Sequence, residues 1–399
     1  MTLLLDRAPA TAQPHRRNRR DRTHRADRTN RTTRTDRPEP FAHITPNWFA
    51  SVMGTGIVAT AAVTLPVQVP GLRVFATVVW LLAVALLLTL VAAFVLHWAK
   101  HTDNARGYLA HPVMCQFYGA PPMALLTVGA GTVALGPVVI GATAAHWIGA
   151  VLWIAGTGLG VLTAIGVPFA MMTRHRANAA ADSPPAAALP AWLMPVVPPM
   201  VSATTGAALI DLLPAGQARL TMLAACYALF GMSLVLGMMT MTLIYGRLVQ
   251  GGVPTGQAAP TIWITLGMIG QSITAANLLP THAAAALGPQ HQAIAAGLTH
   301  LGIAYGLAMA GFGVAAFALA AALTVHNVRR GMPFALTWWS FTFPIGTCVT
   351  GLSALGTALG ASVIHTGAVV LYVLLLAAWA TVGIRTLRGV VSGRLLRPA

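Results

Sequence analysis

The sequence predicts an all-α integral membrane protein built from ten transmembrane helices. Composition is the first sign. Of 399 residues, 56% are hydrophobic and 8% charged, with a mean hydropathy of +0.71, whereas a soluble domain carries roughly 25% charged residues. The second sign is length, because apolar runs of about 20 residues or more recur, each able to cross a hydrocarbon core of ~30 Å as a helix. The third is the uneven placing of Lys and Arg between alternate loops.

The runs fall at 46–65, 72–98, 117–142, 145–172, 192–213, 217–245, 260–280, 292–325, 335–358 and 364–384. The first outlasts a signal-peptide core and nine more follow, so it reads as a retained span. The second, FATVVWLLAVALLLTLVAAFVLHW, has neither glycine nor proline, and the tenth, GAVVLYVLLLAAWATVGI, is nearly as plain. Both suit contact with lipid. The odd-numbered runs instead gather Gly, Pro, Ser and Thr, with the amides Gln271 and Asn277 in the seventh. Proline is tolerated in a membrane helix where neighbouring helices, hydroxyls or water satisfy the freed backbone, and small residues let helices approach closely. The alternation predicts five helical hairpins, with an inner ring of five odd helices around a pore and an outer ring of five even ones. Pro168, in the fourth run, is the exception.

Of the 24 Lys and Arg, 22 lie before the first run, after the last, or in loops that follow even runs; Arg73 and Arg219 follow odd runs. The positive-inside rule therefore places both termini in the cytoplasm of a multi-pass cell-membrane protein. Three regions result. Residues 1–41 form an arginine-rich cytoplasmic tail expected to be disordered, 42–385 the ten-helix domain, and 386–399 a short basic cytoplasmic tail. In the first tail arginine recurs every third residue from Arg16 to Arg37, a period that matches no buried helical stripe. It reads first as a solvated tail that reinforces topology, with anionic lipid headgroups as the natural partner for such a segment beside a membrane. No folded nucleic-acid module accompanies it, so no nucleic-acid partner is expected.

Beyond the first tail the acids are Asp103, Asp182 and Asp211, all in loops or at run ends, and no Lys or Arg lies mid-run. Proton-coupled pumps place an ionisable group at membrane depth, and cation channels recruit acidic rings. Hydroxyls, amides and aromatic edges below a basic face suit small anions. HExxH, GxSxG and paired mid-membrane carboxylates are absent, so enzymatic chemistry is not expected. His97 and His101 of HWAKH share a helical face but fall short of a metal ligand set; neither metal nor cofactor is expected. Cys115, Cys226 and Cys348 form no CxxC pair and read as small buried side chains. His300, near Tyr305, is the candidate buried titrating group.

In the ninth run, residues 338–350 read WWSFTFPIGTCVT. At roughly 100° per residue with Ser340 at zero, Thr347 lies about 20° away, Phe343 about 60° and Thr350 about 80°, all on one side. Phe341 lies about 100° away on the other side. Phe343 is then the ring among polar neighbours, while Phe341 and Trp338 read as packing groups. Pro344 removes an amide donor and reads as a kink that positions Phe343.

Four segments, PNWFASVMGTGIV, HPVMCQFYGAPPMALL, PAWLMPVVPPMVSATTGAAL and WWSFTFPIGTCVTG, resemble the tellurite-resistance/dicarboxylate transporter family. It includes slow-type anion channels, malate permeases and sulfite transporters. The resemblance runs from about residue 42 to 385. It implies a homotrimer with a pore in each protomer, and a phenylalanine of the ninth helix that blocks it. The aromatic-x-Phe pattern puts that gate on Phe343. Gly54, Gly56, Pro122, Pro198 and Pro344 match positions where family helices bend or approach closely. The resulting expectation is passive transport of a small inorganic anion or C4-dicarboxylate. The expected path is lined by Ser51, Thr55, Ser202, Thr205, Gln271, Ser272, Ser340 and Thr347. The alternatives are a proton-coupled malate or sulfite exporter on the same fold, with His300 or an interfacial group handling protons, and a membrane scaffold that transports nothing.

Overall fold

The computed structural model describes residues 41–179 and 188–396, which are nearly all helical. The tail expected over residues 1–41 lies, but for Phe41, outside the described residues, as does Asp182. The long helices are α1 (Phe49–Thr64), α2 (Leu72–Lys100), α3 (Ala120–Leu135), α4 (Ala142–Ala179) and α5 (Pro198–Ile210). They continue with α6 (Gln217–Gly251), α7 (Ile264–Leu287), α8 (Gln292–Arg329), α9 (Phe343–Leu359) and α10 (Ser362–Val391). Among the described residues, eight helical segments are long and apolar enough to cross a membrane. The first and fifth runs are not among them, their helices α1 and α5 having 16 and 13 residues; α3 and α9, with 16 and 17, reach spanning length together with the 3-10 turns before them.

Each odd helix packs against the even helix that follows it, giving five helical pairs. The links within a pair are short. At the end of α9, Gly360 takes a φ of 68°, a left-handed conformation that glycine adopts without steric cost. Ala361 alone then separates it from α10.

Every odd helix is preceded by a 3-10 segment: Pro46–Trp48, Met114–Gly119, Pro190–Leu193, Gly256–Trp263 and Leu336–Phe341. Proline explains much of this. Pro122, Pro198 and Pro344 stand in the first turns of α3, α5 and α9, where the missing amide is one that a helix start leaves unpaired. The break at Pro344 is thus a junction between a 3-10 segment and a fresh α-helix, and not a kink within one continuous helix.

Burial separates the helices into two kinds. In the most apolar windows, 89% of Gly256–Leu287, 72% of Leu336–Leu359 and 67% of Met114–Leu135 is buried, against 28% or less for the windows of α2, α4, α6, α8 and α10. The buried helices pack on one another in an order that closes: α1 on α3, α3 on α5, α5 on α7, α7 on α9, and α9 on α1. Their 3-10 segments touch in the same order, and the fifth touches the first.

Two expectations need correction. His300 is exposed on the outer face of α8, because it falls on the face of that helix turned away from α7, so it is not a buried titrating group. The last helix also runs on through Val391, past the expected end at 384, and a 3-10 turn at Arg394–Leu396 brings Leu395 back against Gly389.

Candidate functional site

Where the 3-10 segments meet the buried helices, the structure holds a small cavity of about 30 Å³. All five odd segments line it. Ala50 and Met53 come from α1, Phe117 and Met123 from α3 and its approach, and Met194 and Val197 from the turn before α5. Ile264 and Gly267 come from α7, and Thr337, Trp339, Ser340, Phe343 and Pro344 from α9 and its approach. The walls are mostly hydrocarbon, thioether and aromatic. Their polar side chains are Thr337, whose hydroxyl donates to the carbonyl of Gln257, the partly buried Ser340, and the indole of Trp339.

Phe343 is the first residue of α9 and is 5% exposed, with its neighbour Pro344 on the same cavity wall. Phe341 goes elsewhere. Its ring packs edge-on against Trp263 and Trp338, each with centroids 5.6 Å away. A single helical wheel does not describe this separation, because Leu336–Phe341 is 3-10 and Thr342 (φ −96°, ψ −68°) forms the junction. A 3-10 turn advances about 120° per residue and restarts the phase at α9.

The hydroxyls proposed from the sequence as a polar path are engaged mainly with backbone. Ser51 donates to the carbonyl of Trp48 at 2.7 Å, Ser202 to Pro198 at 3.2 Å and Thr205 to Val201 at 2.8 Å. Ser272 donates to Ile269 at 2.8 Å and Thr347 to Pro344 at 2.7 Å. Such bonds to the preceding turn are the usual fate of a helical hydroxyl in an apolar setting. Thr55 is turned to α10, where it accepts from the Trp379 indole at 3.1 Å. Of the set, Ser340 alone lies on the cavity wall.

Gln271 differs from these. It lies one turn beyond Gly267 on α7 and therefore continues the helix face that lines the cavity. It is 4% exposed, and among the described residues no hydrogen bond engages its amide. A free amide at that level offers two N–H donors to an anion.

Gly54 and Gly56 serve close approach. A Cβ on Gly54 would collide with Thr342 and Trp339, and one on Gly56 would come within 2.7 Å of Thr127. They bring α1 against the approach to α9 and against α3.

Sequence reasoning missed the methionines of the wall. Met53 stands beside Gly54, Met123 follows Pro121 and Pro122, and Met194 precedes Pro195. A thioether beside a glycine or proline in an odd run is a pattern that could have marked them, since Met fills irregular space readily. It also missed how His97 is held. That ring is fully enclosed, its Nδ1 lies 2.9 Å from the carbonyl of Phe41, and it stacks on His101 with centroids 6.3 Å apart. Nearby, His43 Nδ1 lies 3.0 Å from the hydroxyl of Tyr108, whose pKa burial raises above its ordinary value.

Comparison with known proteins gives a consistent result. The family model described as voltage-dependent anion channel matches residues 43–387. A sulfite efflux pump of Trichophyton rubrum is 27% identical over 316 residues, covering 78% of this chain and 81% of the relative. One from Arthroderma otae is 26% identical over the same length. An uncharacterized transporter of Methanocaldococcus jannaschii is 27% identical over 357 residues, 89% of this chain and 96% of the relative.

Proposed function

The chain belongs to the voltage-dependent anion channel family, and from that premise we propose that it passes small anions through a central path obstructed by Phe343. One observation carries the reading: all five odd segments contribute to a cavity whose wall includes that ring. In this reading α1, α3, α5, α7 and α9 form an inner ring and the even helices an outer one. The closing order of helix neighbours and the burial contrast support it. The 3-10 approaches to α1 and α5 complete ten crossings, both termini are cytoplasmic, and the protein sits in the cell membrane as a trimer.

Sulfite is the first anion to test, because curated relatives are named sulfite efflux pumps. Malate, chloride, nitrate and a tellurium oxyanion are the comparison set. The pathway walls attract an anion weakly, since most hydroxyls are already bonded to backbone, so the amide of Gln271 becomes the main neutral donor. Basic residues at the cytoplasmic mouth supply long-range attraction.

The test is purified protein in liposomes, with flux of each anion measured with and without an imposed pH gradient. Passive conduction requires flux that follows the anion gradient and ignores the pH gradient. Flux that follows the pH gradient instead means a coupled exporter, and no flux of any anion means a scaffold. Gln271→Leu, a change of similar volume that removes both donors, is expected to lower sulfite flux about tenfold, equivalent to ~1.4 kcal/mol. It should leave folding intact, as judged by elution profile and thermal melting. Unchanged flux would remove Gln271 from the path.

A further inference from the structure

We infer that α10, an outer helix, positions the gate through a clamp on the 3-10 segment that carries Phe343; the inference rests on the reading of Phe343 as the obstruction. Every seventh residue along one face of α10 makes an inward hydrogen bond. The Tyr372 hydroxyl donates to the carbonyl of Val58 at 3.3 Å, and the Trp379 indole donates to the Thr55 hydroxyl at 3.1 Å. Two turns further on, the Thr386 hydroxyl accepts from the Trp339 indole at 3.1 Å. The first two hold α1. The third holds the approach to α9.

The neighbour of Thr386 adds to that grip. The Arg385 guanidinium lies 4.7 Å from the ring centre of Trp338, within range of a cation–π attraction. Two successive residues of α10 thus hold two successive tryptophans. From Trp339 the contact passes directly to the gate, because the Thr342 hydroxyl donates to the Trp339 carbonyl at 2.7 Å and Phe343 is the next residue. On the opposite side Thr342 and Trp339 press on Gly54, where not even a Cβ would fit. The segment is wedged between α1 and α10, with the approach to α7 on a further side through Thr337 and Phe341, and release on the α10 side frees the two tryptophans that lead to the gate. Trp339 and Thr386 are positioning residues: Trp339 borders the cavity but acts on the ring through Thr342, and Thr386 does not reach the cavity wall.

Flux in liposomes tests this with Thr386→Val, which keeps the shape and removes the acceptor, and with Trp339→Phe, which keeps a ring and removes the donor. Thr386→Ser restores the hydroxyl. Each is measured alone and combined with Phe343→Ala, with thermal melting alongside. The expected result is a rise of about threefold or more for the Val and Phe variants, and wild-type flux for the Ser variant. On top of Phe343→Ala, none should raise flux further, because the clamp acts only through the ring. Flux unchanged in Thr386→Val while Phe343→Ala opens the path overturns the clamp and leaves the gate standing. So does an equal rise in both backgrounds, or a change that tracks melting temperature and that Ser does not rescue. Flux unchanged in Phe343→Ala overturns the gate, and the clamp with it.

Discussion

Replacing Phe343 by alanine is expected to raise anion flux at least about tenfold, an effect that needs a barrier lowered by only ~1.4 kcal/mol. The ring is 5% exposed, yet one side of it borders the empty cavity. Truncation therefore connects that space to the level of Gln271, one helical turn beyond Gly267 on the same face of α7. The stability cost should fall below the ~3–5 kcal/mol of a fully enclosed phenylalanine, because the side chain already lacks neighbours on its cavity side. Phe341→Ala is the matched control. It removes a ring of the same size two residues away, but one packed between Trp263 and Trp338. That variant should lose stability and gain no flux. The pair of measurements in liposomes, flux and melting temperature for each variant, separates obstruction from packing. Equal flux in wild type and Phe343→Ala, with an open path in Phe341→Ala, would move the gate to the other ring.

How much of this was legible from residues depends on the kind of signal each feature leaves. The eight long apolar helices were readable because crossing a membrane demands uninterrupted hydrophobic length. The unlike character of odd and even runs was readable too, since proline falls almost wholly in the odd runs, and the buried shares of the helices follow that division. The 3-10 segments were not readable. Proline in LMPVVPPM or SFTFPIG reads equally as a kink within a helix or as the first turn of a new one, and only the backbone decides. That ambiguity propagates to the site. A wheel drawn from Ser340 assumes one helix through Pro344, whereas the phase restarts at Thr342. Serine and threonine misled for a different reason. Each hydroxyl in an apolar helix can bond its own preceding turn, so a polar stripe in sequence need not present polar groups to a path, as Ser51, Ser202 and Thr205 show. Gln271 escapes because its amide, on a longer side chain, makes no bond to the preceding turn.

A close backbone contact between two buried helices leads to the second large effect. On α7, Gly270 faces the backbone of α9 so closely that a Cβ would collide with the carbonyl carbon of Thr347 and the amide of Cys348. On α9, Gly351 answers it, and a Cβ there would come within 2.7 Å of the Gly270 carbonyl and 3.1 Å of the Ile273 Cβ. The obstacles are mostly backbone, which cannot swing aside as a flexible side chain can. One added methyl must therefore push the helices apart. Gly270→Ala should cost about 2–3 kcal/mol, at the upper end for overpacking, and Gly351→Ala somewhat less. Helix association in a membrane gains little from hydrophobic transfer and relies on such close packing, so the loss has no ready compensation. The two substitutions share one contact. Once the first has separated the helices, the second meets a wider gap, and the double variant should cost distinctly less than the sum of the singles. Reversible unfolding in mixed detergent micelles reads all three variants against wild type. Additive losses would mean that the two glycines relieve separate clashes, and losses below about 0.5 kcal/mol would mean that α7 and α9 slide past one another without resistance.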